Sequence, residues 1–119
     1  MEGGDGMSKP MKVAVATDGQ DVAAHFGRCQ AYTIAEIADG MVQSQHQLAN
    51  PGHEPGFLPG YLAQRGVTCI VAGGMGPRAQ MLFDQHGIGT IVGVSGSIEE
   101  TLRALARDEL ESGESLCEH

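Results

Sequence analysis

Tryptophan is absent from this 119-residue chain and aromatic residues make up only 4% of it, so a folded core has to rest on Val, Ile, Leu, Ala and Met. No apolar run approaches the ~20 residues of a membrane-spanning helix, and the opening residues lack the basic-then-apolar order of a secretory signal. Both absences point to the cytoplasm and away from membranes. Basic residues are scarce: 7 Lys and Arg stand against 15 Asp and Glu, a formal net charge of -8. That balance repels a phosphate backbone, which sets nucleic acid aside as a partner. Cysteine is also rare. Cys29, Cys69 and Cys117 are an odd number without a CxxC pair, which argues against a disulfide framework and for free thiols in a reducing compartment.

What is present suffices for one core. The length suits a single domain. Its expected bounds are residues 11–111, between a Gly-rich tail at 1–10 and a second tail at 112–119. Val13 to Ala16 form a continuous apolar run, as in a strand buried on both faces. Tyr32 to Ile37 and Met41 to Leu48 flank an Asp39-Gly40 pair, a hairpin signal. Pro51, Gly52, Pro55 and Gly56 keep the next stretch irregular, and a short helix is expected to begin near Pro59. Val67 to Ala72 read as another buried strand, Pro77 opens a second helix that Gly87 closes, and Ile88 to Val94 make a fifth strand. Ser97 with Glu100 forms a capping box for a last helix whose apolar stripe runs through Ile98, Leu102, Leu105 and Leu110. The order β-β-β-α-β-α-β-α implies an α/β fold with a mixed five-stranded sheet.

Two loops attract chemistry. His25, Phe26, Gly27, Arg28 and Cys29 follow the central strand, where open α/β sheets present ligands. Histidine and cysteine suit soft or borderline metals, and the glycine between them permits a tight turn. Gly73, Gly74, Met75, Gly76 and Arg78 join a strand to a helix, an arrangement that can hold an anion at the helix N-terminus. Gly74, Gly76 and Ala79 also match a G-x-G-x-x-A dinucleotide fingerprint, but weakly, since Pro77 removes one N–H and no acidic residue follows at the right distance. Cys117 and His119 end the chain as C-x-H, and His53 lies in the Pro- and Gly-rich loop. Cys69 reads as a core residue, His46 and His86 as hydrogen-bonded structural histidines, and Asp18 as a lone carboxylate at a strand end.

MKVAVATDG, HFGRC, a hairpin, NPGHEPG and GGMGPRA, in this order from Met11 to Leu110, resemble the dinitrogenase iron-molybdenum cofactor biosynthesis (NifX/NifB-type) family. The resemblance implies a ribonuclease H-like fold. It also implies transient carriage of an iron-sulfur or iron-molybdenum-sulfur cluster without catalytic turnover, with cluster-donor and acceptor proteins as partners. Carried onto this sequence, it marks His25 to Arg28, His53, Gly74, Gly76 and Ala79.

The expected site therefore has His25, Cys29, His53, Cys117 and His119 as metal ligands. Arg28, Gly73, Gly74, Met75, Gly76 and Arg78 line the cluster and offset its negative charge. With Cys69 in the core, one copy cannot supply the four thiolates a cubane cluster normally takes, so labile carriage or a homodimer is expected. A metal-free regulatory or scaffold domain, and a phosphoester hydrolase working through Asp18 and a divalent metal, are the rival readings.

Overall fold

The structure, a computed structural model, describes residues 11–50, 57–107 and 114–115. Its centre is β1 (Met11–Asp18), whose Val13 to Thr17 are all buried. Side chains alternate across a strand, so β1 feeds two cores. Ala14 and Ala16 face one with Tyr32, Ile34, Leu62, Ile70 and Phe83, while Val13 and Val15 face the other with Ala35, Val71, Ile91, Leu102 and Leu105. A strand sandwiched in this way has no wet face, which is why its sequence is apolar without alternation.

After a two-residue strand, β2 (Asp21–Val22), come β3 (Ala31–Ala38) and β4 (Met41–Ala49). They are antiparallel and joined through Asp39 and Gly40, at φ 57° and 73°. Two consecutive positive φ values are what a type I′ hairpin turn requires. Then follow α1 (Phe57–Gln64), β5 (Cys69–Val71), α2 (Pro77–Gln85), β6 (Gly89–Val92), α3 (Ile98–Ala106) and β7 (Glu114–Ser115). The sheet order is β4-β3-β1-β5-β6-β7 with β2 paired to β1; β5 and β6 run parallel to β1, and β3, β4 and β7 make antiparallel pairs.

The chain is thus α/β with a mixed sheet and three helices among the described residues. Two short strands enlarge the expected five. β2 lies in what sequence alone reads as loop, and β7 falls in the expected C-terminal tail. Neither two-residue segment carries enough alternation to be read as a strand. The first helix begins at Phe57, two residues before Pro59. A proline anywhere in the first turn removes an N–H that has no intrahelical partner, so Pro59 does not mark the start. The other signals hold: Pro77 opens α2, Gly87 follows it at φ 75°, and the Ser97 hydroxyl accepts from the Glu100 N–H at 3.1 Å. No helix among the described residues is long and apolar enough to cross a membrane.

Candidate functional site

The two loops singled out from sequence leave the carboxyl ends of β1 and β5, parallel neighbours, and their backbones are stitched together. The Gly73 N–H donates to the Ala23 carbonyl at 2.9 Å, and the Phe26 N–H donates to the Gly74 carbonyl at 2.8 Å. The approach explains the glycines. A Cβ on Gly73 would lie 2.9 Å from the Ala23 oxygen and the Ala24 Cα, and one on Gly74 would lie 3.0 Å from the Ala24 oxygen. Such distances demand a missing side chain. Gly76, by contrast, has open space and φ -68°. Of the two glycines in the weak dinucleotide match, the loop-to-loop contact accounts for Gly74 and not for Gly76.

Within the first loop the side chains divide. Phe26 is half-buried, its ring 5.8 Å from Tyr32 and 5.2 Å from Phe83, and it anchors the loop in the core. Gly27 turns the chain at φ 92°. His25 and Arg28 are exposed, whereas Cys29 is 5% exposed within the core cluster that holds Tyr32. The Cys29 thiol is free and hydrogen-bonded to the Tyr32 hydroxyl. Burial, then that hydrogen bond and the charge of Cys29, push the Tyr32 hydroxyl well above the usual phenol range, while a backbone hydrogen bond from Gly27 pulls the other way.

The fold therefore brings His25 against the second loop, with Nδ1 4.0 Å from where a Gly74 Cβ would stand. It leaves the Cys29 thiol inside and the His25 ring outside, so the two do not face a common point. Met75 packs partly against the core and its carbonyl accepts from Gln80 Nε2 at 2.9 Å; Arg78 is exposed in the first turn of α2. Among the described residues no three His, Cys, Asp or Glu side chains group as a metal site. His53, Cys117 and His119 lie outside the described residues.

Other expectations resolve individually. Asp18 is exposed and its Oδ1 accepts from the Gln30 N–H at 2.9 Å, which makes it a turn residue; Asp21 lies opposite it on β2, but among the described residues no third His, Cys, Asp or Glu joins them as a metal site. His86 is exposed, with Nδ1 3.0 Å from the Leu82 carbonyl, and His46 is exposed on β4. Cys69 is buried as expected, but it is disulfide-bonded. The expectation that all thiols are free is corrected there, because an odd count and the lack of a CxxC motif say nothing of which residues the fold brings together.

Sequence reasoning missed Asn50. Its amide nitrogen donates to the Cys29 carbonyl at 2.9 Å and the Gly27 carbonyl at 3.4 Å, and its N–H donates to the Gln30 carbonyl at 3.2 Å. An asparagine directly before a proline, at a strand end, was the available signal.

Comparison with known proteins agrees with this geometry. Residues 9–108 match the model of the family described as dinitrogenase iron-molybdenum cofactor. An uncharacterized protein of Methanocaldococcus jannaschii, MJ0580, is 32% identical over 111 residues, covering 89% of this chain and 94% of that protein. The crystal structure of PH0822 superposes with a TM-score of 0.80 at 27% identity, covering 87% of this chain and 95% of the other. The apo form of the orange protein from Desulfovibrio gigas shares the fold with a TM-score of 0.71 at 16% identity, over 93% of this chain and 99% of that one.

Proposed function

Because the chain belongs to the dinitrogenase iron-molybdenum cofactor family, we propose that it binds a metal-sulfur cluster, of iron-sulfur or iron-molybdenum-sulfur type, and passes it to an acceptor protein without catalytic turnover. The observation that carries the reading is the pair of stitched loops with exposed His25 beside Gly74. This is a backbone-bonded shelf at the carboxyl end of the sheet, with Arg28 and Arg78 exposed nearby in sequence to offset the charge of an anionic cargo in a chain of net charge -8. The ribonuclease H-like description of the fold belongs to the same reading and is supported by the strand order.

His25 is the ligand presented to solvent. Cys29 joins it once the loop turns about Gly27 and releases the thiol from Tyr32. His53, Cys117 and His119 remain candidates from sequence alone, and Cys117 ligates only as a thiol. Since the described residues do not close a coordination sphere, sulfide, small thiols or the acceptor complete it, which suits a cargo that has to leave. Anaerobic incubation of the chain with iron and sulfide, followed by gel filtration, tests this. A visible chromophore that co-elutes with the protein and is weakened by His25→Ala is expected. A chain that retains no chromophore, or retains it unchanged in both His25→Ala and Cys29→Ala, overturns the proposal.

The burial of Cys29 favours one second reading, a metal-free scaffold that uses the same shelf to bind a protein. Equal partner affinity for metal-free and cluster-loaded chain would select it.

A further inference from the structure

β4 forms one outer edge of the sheet and is bonded to β3 alone among the described residues. It is nine residues long, and Gln43, Ser44, Gln45, His46 and Gln47 are all exposed. The free side of such a strand presents unpaired N–H and C=O groups. Folds that keep an edge to themselves blunt it with charge, proline, a bulge or a covering segment. From Met41 to Asn50 the sequence has no Lys, Arg, Asp, Glu or Pro. An irregularity does occur. The register passes from Ile37↔Val42 to Glu36↔Ser44 and leaves Gln43 unopposed, with its side chain donating to the Ala38 carbonyl at 2.9 Å. That blunts the first end only. From Ser44 to Ala49 the strand pairs with Glu36 to Ala31 residue for residue.

We propose that this straight run is a self-association edge, on which a second copy of the chain pairs antiparallel through Ser44 to Ala49 and joins two sheets into one. Charge selects the occupant. Two copies at net charge -8 repel each other at long range, but this strip sets no like charge against like. An acidic or basic segment from another protein would find no opposite charge on the strand to hold it. A two-fold axis sets Ser44 against Ala49, Gln45 against Leu48 and His46 against Gln47 of the copy; the Gln47 amide both donates and accepts, so it pairs with the imidazole opposite, and the axis closes the assembly at two chains. Six residues a side bury little area, so the dimer is reversible and concentration-dependent.

The geometry also has a consequence for cargo. β4 is followed directly by Asn50, which holds the Cys29 loop. Antiparallel pairing sends the two Asn50 residues to opposite ends of a shared run roughly 20 Å long, at about 3.4 Å per residue. Two copies therefore carry two separate shelves and do not pool thiolates around one cluster.

Sedimentation of the full, metal-free chain from micromolar to millimolar concentration, at low and high salt, tests the pairing without reference to any cluster. The expected result is a monomer–dimer equilibrium that moves toward dimer as salt screens the repulsion. Gln45→Lys combined with Gln47→Lys, and separately Gln45→Glu combined with Gln47→Glu, are expected to weaken it at least tenfold with the unfolding temperature unchanged. A chain that stays monomeric throughout overturns the proposal and leaves the edge to an extended segment of another protein. A dimer indifferent to both variants overturns it as well.

Discussion

The Cys29 thiol and the Tyr32 hydroxyl share a hydrogen bond inside the core, at 5% and 0% residue exposure, across the point where the first ligand-type loop becomes β3. The loop's sulfur is thus held by the strand that follows it. In the native chain Cys29 should alkylate orders of magnitude more slowly than in denaturant. Tyr32→Phe, which leaves the thiol buried without that partner, should speed the native reaction and cost about 1–3 kcal/mol of stability. Timed iodoacetamide labelling with mass spectrometry of the Cys29 peptide reads the rate, and an unchanged rate in the variant would show that the hydroxyl does not hold the thiol.

Alkaline pH gives an independent handle on the same residue. The folded chain keeps the Tyr32 hydroxyl protonated above the usual phenol range, whereas the unfolded chain releases that proton near pH 10. Above that pH the folded state binds more protons than the unfolded one, so stability is lost as pH rises, by at most about 1.4 kcal/mol per pH unit for this group. Below it the contribution is fully present. Denaturant unfolding between pH 8 and pH 11 should show the decline, and Tyr32→Phe should flatten it.

Gly73→Ala should break the stitch between the loops. Its methyl would stand 2.9 Å from backbone atoms of Ala23 and Ala24, and backbone cannot rotate away as a side chain tip can. A loss of about 1–3 kcal/mol is expected, with Gly76→Ala as the neutral comparison because its Cβ meets open space. Equal unfolding midpoints for the two variants would refute the close-approach account of these glycines.

Ser97→Ala removes the hydroxyl that caps α3, the helix whose Leu102 and Leu105 fill the second core. A cost of about 1 kcal/mol, or roughly 4–8 °C in Tm, is expected. Ser97→Asp should keep most of the stability, since a carboxylate caps as well and suits the helix dipole.

The long elements were legible because burial and period speak together in them: β1 and the Val67 to Ala72 run are apolar on both faces, and Ser97 and Pro77 carry start signals that act locally. The two-residue strands were not legible, since two residues show no period. In the site, the two loops that hold His25 and Gly73 stood out in the sequence, and the structure bonds them backbone to backbone, but spacing alone placed Cys29 on the same side as His25. The structure separates them, because Phe26 and Cys29 both turn inward beside Tyr32 into a core that also holds Phe83 from α2, a neighbour that local spacing does not reveal. The Asn50 clamp and the bond from Cys69 to its disulfide partner depend on tertiary proximity in the same way.

The stitching of Ala23 to Gly73 and of Phe26 to Gly74 uses main-chain atoms only. Its consequence is a division of labour between scaffold and chemistry: the positions that meet solvent, 25, 28 and 78, can change identity without disturbing the bonds that shape the shelf. A chain built this way keeps its frame while the side chains set upon it vary, so exposed chemistry and backbone architecture are separable at this end of the sheet.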